Sequence, residues 1–126
     1  MKIINGGIYL VKFTDTINPE LKDPHYCVVL KTHDKDLFVA LPTTSKKKKD
    51  LYSFLIPEDS STCLFKHMKV VARGRIIKPL EDSNKNPIVL SNENLTKLLA
   101  KFRIFIDDIC RNAILSNKYA SQRQNV

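Results

Sequence analysis

The sequence predicts a mainly β domain closed by a single helix: a small, strongly bent antiparallel barrel or half-barrel with a C-terminal helix across one end. Roughly five or six short runs of β-branched and aromatic residues, parted by polar turns or by glycine and proline, occupy most of the chain. A single stretch near the C-terminus then repeats leucine, phenylalanine and isoleucine at helical spacing. No internal repeat or linker divides the two.

Gly6 and Gly7 open the first strand, Ile8-Tyr9-Leu10-Val11-Lys12-Phe13. Paired glycines permit positive φ and close backbone approach, and they match neither of the glycine-rich phosphate loops. Residues 14–24 carry two prolines and several Asx residues, which rules out helix or central strand. This long loop is expected to form one wall of a groove. His25-Tyr26-Cys27-Val28-Val29-Leu30, a polar turn over 32–36, and Leu37-Phe38-Val39-Ala40-Leu41-Pro42-Thr43-Thr44-Ser45 read as a hairpin. Antiparallel pairing puts the start of its first strand beside the end of its second, so His25 and Thr43, Thr44 and Ser45 are expected neighbours. Lys46, Lys47, Lys48 and Lys49 follow at once.

Residues 50–57 read as a short strand, 58–62 as a polar turn, and 67–73 and 75–80 as extended pieces around Gly74, which marks a bulge or a sharp bend. After a loop over 81–87, Ser91 offers an N-cap, and Leu95, Leu98, Leu99, Phe102, Ile106, Ile109 and Ala113 form the apolar stripe of a helix over 92–115. The expected organisation is one domain over 1–116, with a polar, flexible tail over 117–126.

At 126 residues and 43% hydrophobic content the chain has the size and make-up of one globular domain. No apolar run approaches the roughly 20 residues of a membrane span, and the opening residues are too polar for a signal peptide, so a cytoplasmic protein without a membrane partner is expected. Cys27, Cys63 and Cys110 are far apart and form no C-x-x-C pair, which reads as three buried small hydrophobes in a reducing compartment. His25, His33 and His67 show no ligand spacing, so neither a metal site nor a cofactor is expected. The net charge of +8 points to a polyanionic partner, and in the cytosol to nucleic acid.

The hairpin ends carry the chemistry. Metal-free RNA cleavage needs a base for the ribose 2′-OH, an acid for the leaving 5′-oxygen, and cations or donors around the phosphorane. His25 is the acid/base candidate, set against a plain strand-end histidine. Thr44 and Ser45 are candidate phosphate ligands, set against a turn cap. Lys46, Lys47 and Lys48 are a candidate funnel for the RNA backbone, set against a solvated loop. Arg73 and Arg75, two apart on an extended run, are expected on one face, where either would brace the transition-state phosphate. Tyr26, like Tyr9 and Tyr52, is a candidate for stacking on unpaired bases, with core packing as the competing reading.

In order and spacing these motifs resemble the MazF/PemK family of toxin endoribonucleases. Gly7-Ile8-Tyr9-Leu10-Val11-Lys12-Phe13 is similar to the family's opening strand, and Cys27-Val28-Val29-Leu30 to the end of its R-P-x-V-V-L strand. Val39-Ala40-Leu41-Pro42-Thr43-Thr44-Ser45 is similar to V-x-P-x-T-[TS], and the region from Leu90 to Ile106 to its closing helix. The resemblance implies an SH3-like barrel and a homodimer that cleaves single-stranded RNA in a sequence-selective, metal-independent reaction to a 2′,3′-cyclic phosphate. It also implies a cognate antitoxin, a protein rather than the structured RNA of related type III toxins. The family's catalytic arginine and threonine fall on His25 and Thr44, and its Arg-Pro is replaced by His25-Tyr26. A histidine shuttles protons but gives no permanent fork of charge, so Arg73 or Arg75 would have to supply it. Two other readings fit the same barrel: a non-catalytic module that binds nucleic acid or protein, and a gyrase-directed toxin acting through its C-terminal helix.

Overall fold

The computed structural model describes residues 1–13, 24–46 and 52–124, with side chains to residue 118. The loop over 14–23, together with Lys47, Lys48 and Lys49, lies outside the described residues. Those described form β1 (Gly7–Val11), β2 (His25–Lys31), β3 (Leu37–Thr44), β4 (Ser53–Leu55), β5 (Thr62–Leu64), β6 (Lys69–Ala72), β7 (Ile76–Pro79) and α1 (Asn92–Gln124).

Strands β1, β2 and β3 are an antiparallel meander in which Val28 stands between Ile8 and Leu41, and Cys27 between Tyr9 and Pro42. The outer edge of β3 is shared: its first half pairs with β6 and its last two residues with β5, which pairs in turn with β4. The free edge of β1 pairs with β7. Only the 3-10 turn Arg73–Arg75 separates β6 from β7. The chain from Lys69 to Pro79 therefore bonds to both outer strands of the meander and rolls it into a barrel-like sheet, with the ladder interrupted at that turn. This is the mainly antiparallel β fold with a C-terminal helix that the sequence predicts.

The apolar runs are continuous because both faces of the meander are covered. One set of alternate residues, Tyr9, Val11, Cys27, Val29, Phe38 and Ala40, fills the inside of the curl together with Ile3, Val71 and Ile76. The other set, Ile8, Val28, Leu30 and Leu41, lies beneath Ile56, Phe65, Leu90 and Leu98. Phe65 meets Phe102 of α1 with ring centroids 5.4 Å apart, and Tyr52 meets Phe105 edge-on at 5.0 Å. Gly6 lets the backbone pass close under the helix, and Gly7 leaves room for the Tyr9 ring. Gly6 has φ +81°, and a Cβ there would stand 3.0 Å from the Leu95 side chain, while one on Gly7 would stand 2.6 Å from the Tyr9 ring.

The helix begins as its N-cap predicts. Ser91 Oγ accepts the Asn94 N–H at 3.1 Å, and the Ser91 carbonyl accepts the Leu95 N–H at 2.8 Å. A carboxylate from the β4–β5 turn completes the cap: Glu58 accepts the Ser91 N–H at 2.7 Å and the Asn94 side-chain amide at 3.0 and 3.1 Å. Partial burial pushes the Glu58 carboxyl up, but the hydrogen bonds from Ser91 and Asn94 outweigh it and hold its pKa below the usual carboxylate value. Negative charge here also faces the positive end of the helix dipole.

Five expectations are corrected. The helix runs on to Gln124, so residues 117–124 are helical rather than a frayed tail. Its apolar stripe leaves the body after Ile106: residues 109–118 are all exposed, Ile109 and Ala113 among them. Cys110 sits on that projecting part and is exposed, whereas Cys27 and Cys63 are buried. Thr62–Leu64 is a strand that the polar flank of residues 58–62 concealed, and His67 belongs to a 3-10 turn instead of the strand that follows.

Burial pushes the Cys27 and Cys63 thiols far above their ordinary value, so they stay protonated and unreactive. Native protein at mild alkaline pH is expected to react quickly with a thiol reagent at Cys110 alone; Cys27 and Cys63 should react only after denaturant is added. Ser91→Ala is expected to cost about 1 kcal/mol in urea unfolding. Because the folded-state pKa of Glu58 is depressed, its contribution is complete above the unfolded value of about 4.3 and is lost as pH falls through the folded value. The stability gap between wild type and Glu58→Gln should accordingly close on acidification.

Candidate functional site

Two residues beyond the Cys27–Pro42 pair along each strand stand His25 and Thr44, which opens the hairpin's end onto solvent with these residues side by side. The two strands are still tied there, since the Thr43 hydroxyl donates to the Tyr26 carbonyl at 2.9 Å. On the far side of β2, His25 pairs with Val11 of β1. An open cavity of about 410 Å³ at this end is lined by His25, Tyr26, Thr44 and Ser45, and by Asp59, Ser60 and Ser61 from the β4–β5 turn. Four of the residues singled out in the sequence thus share one site.

The alternation of the strands sorts their side chains. Tyr26 lies on the helix-covered side of the sheet with Leu10, its partner in register. His25 and Thr44 belong to the opposite set but sit at strand ends, so both reach the same cavity. The His25 imidazole is half-buried and has no hydrogen-bond partner among the described residues. The Thr44 hydroxyl accepts the Lys46 N–H at 3.3 Å, a long bond that leaves its own proton available. That contact brings the first lysine of the basic block to the rim, where its side chain is exposed.

The β4–β5 turn, a plain polar turn in the sequence, is closed by its own hydrogen bonds. The Ile56 carbonyl accepts the Ser60 N–H at 2.9 Å, and the Ile56 N–H donates to the Ser61 carbonyl at 2.8 Å. Asp59 Oδ1 accepts both the N–H and the hydroxyl of Ser61, at 3.0 and 2.6 Å. The turn places a carboxylate and two serines on the wall of the cavity that His25 also lines. Ser60 holds φ 60°, a left-handed conformation that the surrounding bonds fix. Lys78 does not line the cavity, but it pairs with Leu10 in register and so shares the face that carries Tyr26. Its place in the short Ile76–Pro79 strand was the available signal.

Arg73 and Arg75 do not join this site. Gly74 sits in a 3-10 turn, where residues two apart point in different directions, so the expectation of one shared face fails. Arg73 lines a cavity with Lys31 and Phe38, and Arg75 lines another with Lys12 and Lys69; neither cavity includes His25 or Thr44. Of the other tyrosines, Tyr9 is buried at 2% exposure and its hydroxyl accepts the Ile4 N–H, while Tyr52 donates to Asp108 Oδ2 on the helix. Both take structural parts, which leaves Tyr26 as the tyrosine lining the cavity. Among the described residues no group of three or more His, Cys, Asp or Glu side chains gathers as a metal site. No helix among them is long and apolar enough to cross a membrane.

The family model described as the PemK-like, MazF-like toxin of type II toxin–antitoxin systems matches residues 4–106. The chain belongs to that toxin family. The matched region holds every strand and the packed part of α1, and it stops just before the helix leaves the body. A crystal structure of MazF from Deinococcus radiodurans is similar in fold, with a TM-score of 0.61 at 18% identity, over 81% of this chain and 94% of that one. A MazE–MazF structure from the same organism superposes with a TM-score of 0.55 at 18% identity, over 84% and 93% of the two chains. No curated protein matches the chain in sequence.

The two site threonines have separable roles. Thr43→Val is expected to lower stability by about 1 kcal/mol, because the Tyr26 carbonyl loses its donor. Thr44→Val, whose hydroxyl accepts only the long bond from Lys46, should change the unfolding midpoint far less. Chemical denaturation of the pair tests the division; equal losses would contradict it.

Proposed function

We propose that this family member is a metal-independent endoribonuclease toxin that cleaves single-stranded RNA through attack of the ribose 2′-oxygen on the adjacent phosphorus, leaving a 2′,3′-cyclic phosphate and a free 5′-hydroxyl. The observation that carries the reading is the meeting of His25 with Thr44 at the hairpin's open end, in a chain whose family consists of toxins. His25 serves one of the two proton transfers, taking the 2′-OH proton or giving one to the leaving 5′-oxygen. Asp59, whose second carboxylate oxygen is not tied to Ser61, is the carboxylate on the cavity wall and the candidate for the other transfer.

Thr44 and Ser45 donate hydroxyl hydrogen bonds to the phosphate oxygens. With Arg73 and Arg75 on other cavities, the positive charge near the phosphorane comes from Lys46, with Lys47 and Lys48 continuing the basic run, and from Lys78. Lysine suits the part as a point charge, without arginine's bidentate grip. Tyr26 offers a half-buried ring for an unpaired base, as selective recognition of single strands requires. The likeness to a MazE–MazF structure supports a protein antitoxin as partner, and family membership supports a homodimer in the cytoplasm.

Purified protein in chelator is expected to cut a long single-stranded RNA at discrete positions, with cyclic phosphate at the new 3′ ends. His25→Ala should lower kcat by roughly 10²- to 10⁴-fold, and Thr44→Val by about tenfold. Tyr26→Ala should raise KM by roughly 10- to 100-fold. Lys78→Ala should weaken binding evenly across sequences and reduce the salt slope by about one. Salt-sensitive RNA binding without any cleavage would sink the enzyme and leave a binding module.

A further inference from the structure

A second concavity lies near the turn between β2 and β3, away from His25. With six residue steps between His25 and Lys31, the two ends of β2 stand about 20 Å apart. This cavity, of about 490 Å³, has a floor of Ile3 and Phe38 and a rim of Lys2, Lys31, Lys35 and Arg73. The one carboxylate among its lining residues is Asp34.

The turn itself accounts for its own polar groups. The Thr32 hydroxyl bonds to the Asp34 and Leu37 carbonyls at 3.0 and 2.9 Å and accepts the Asp34 N–H at 3.1 Å. Asp34 Oδ1 accepts the Asp36 N–H at 2.9 Å, which turns that oxygen inward. None of the four cations forms an ion pair with a described residue. Arg73 is nevertheless held in place: its backbone N–H donates to the Asp36 carbonyl at 3.0 Å and its Nη2 to the Met1 carbonyl at 2.7 Å. One nitrogen is thereby spent, and the other guanidinium donors remain. Lys31 is positioned by its backbone N–H, which donates to Asn5 Oδ1 at 2.9 Å.

Four like charges around an apolar floor repel one another and raise the local potential; an anion relieves both effects. The cavity volume falls in the range of small-molecule sites, about 300–1,000 Å³. We infer that this cavity is a phosphate-binding site, separate from the His25 pocket, that takes a nucleotide phosphate, with Arg73 and Lys31 as its principal ligands and Lys2 and Lys35 as flanking charges. The phosphate can come from a free nucleotide or from a distant segment of an RNA strand, since both present the same group.

The test is a titration of ¹⁵N-labelled full-length protein with sodium pyrophosphate, followed by amide resonances. Saturable shifts at Lys31, Thr32, Lys35 and Arg73 at millimolar concentration are expected. They should weaken by about tenfold or more in apparent affinity for the Lys31→Gln/Arg73→Gln variant. Lys31 and Arg73 are exposed, so the fold should survive, and Arg73→Lys should recover part of the affinity by restoring charge. A stronger response at these amides to a nucleoside triphosphate than to an RNA dodecamer assigns the site to free nucleotides; the reverse order assigns it to RNA. Shifts that do not saturate, or that persist unchanged in the double variant, overturn the inference. Because the readout is local to this turn, it does not depend on whether the protein cleaves RNA.

Discussion

The pairing of Val28 with Ile8 on one side and Leu41 on the other is the constraint on which the rest of the molecule depends. It locks three strands in a register that buries both faces, one inside the curl and one under α1. A slip of one residue in any strand would exchange the two cores, so the register is strongly specified. Polar chemistry is excluded from the middle of such a sheet and displaced to strand ends. His25 and Thr44 occur together because the ends of β2 and β3 are where a doubly buried sheet has room for them.

The helix reaches that site through a short relay. Its N-terminus is capped by Glu58, which belongs to the same turn as Asp59, Ser60 and Ser61. Docking of α1 therefore fixes the turn that forms one wall of the candidate site, and the Asp59–Ser61 bonds keep the carboxylate from wandering. Stability and site geometry meet in this turn, where the capping Glu58 stands next to the cavity-lining Asp59.

Much of this was legible from the chain, for definite reasons. Antiparallel pairing alone put His25 near Thr44 and Ser45, because hairpin connectivity leaves little freedom once both strands are recognised. The Ser91 cap, the glycine pair and the buried face of α1 were legible as local chemistry. What escaped depended on context. Arg73 and Arg75 were assigned to one face on the assumption of an extended chain, whereas Gly74 sits in a turn of three-fold period. The strand Thr62–Leu64 is too short for periodicity and gains its identity from β3 and β4. The helical pattern foretold a stripe but not where the body beneath it ends, so Ile109 and Cys110 were read as buried. Asp59 had no motif of its own; turn geometry brought it to the cavity wall, and register alone put Lys78 on the face that carries Tyr26.

Neither Arg73 nor Arg75 lines the cavity that holds His25 and Thr44, which sets this site apart from an arginine-centred one. The account stands or falls on where a scissile phosphate rests. A crystal structure with a single-stranded RNA carrying a 2′-deoxy substitution at the cleavage position would show it directly. The account predicts that phosphate within hydrogen-bonding reach, about 3 Å, of the Thr44 hydroxyl and the His25 imidazole, with a neighbouring base over Tyr26. A phosphate seated elsewhere, with the His25 imidazole turned away from it, would contradict the assignment.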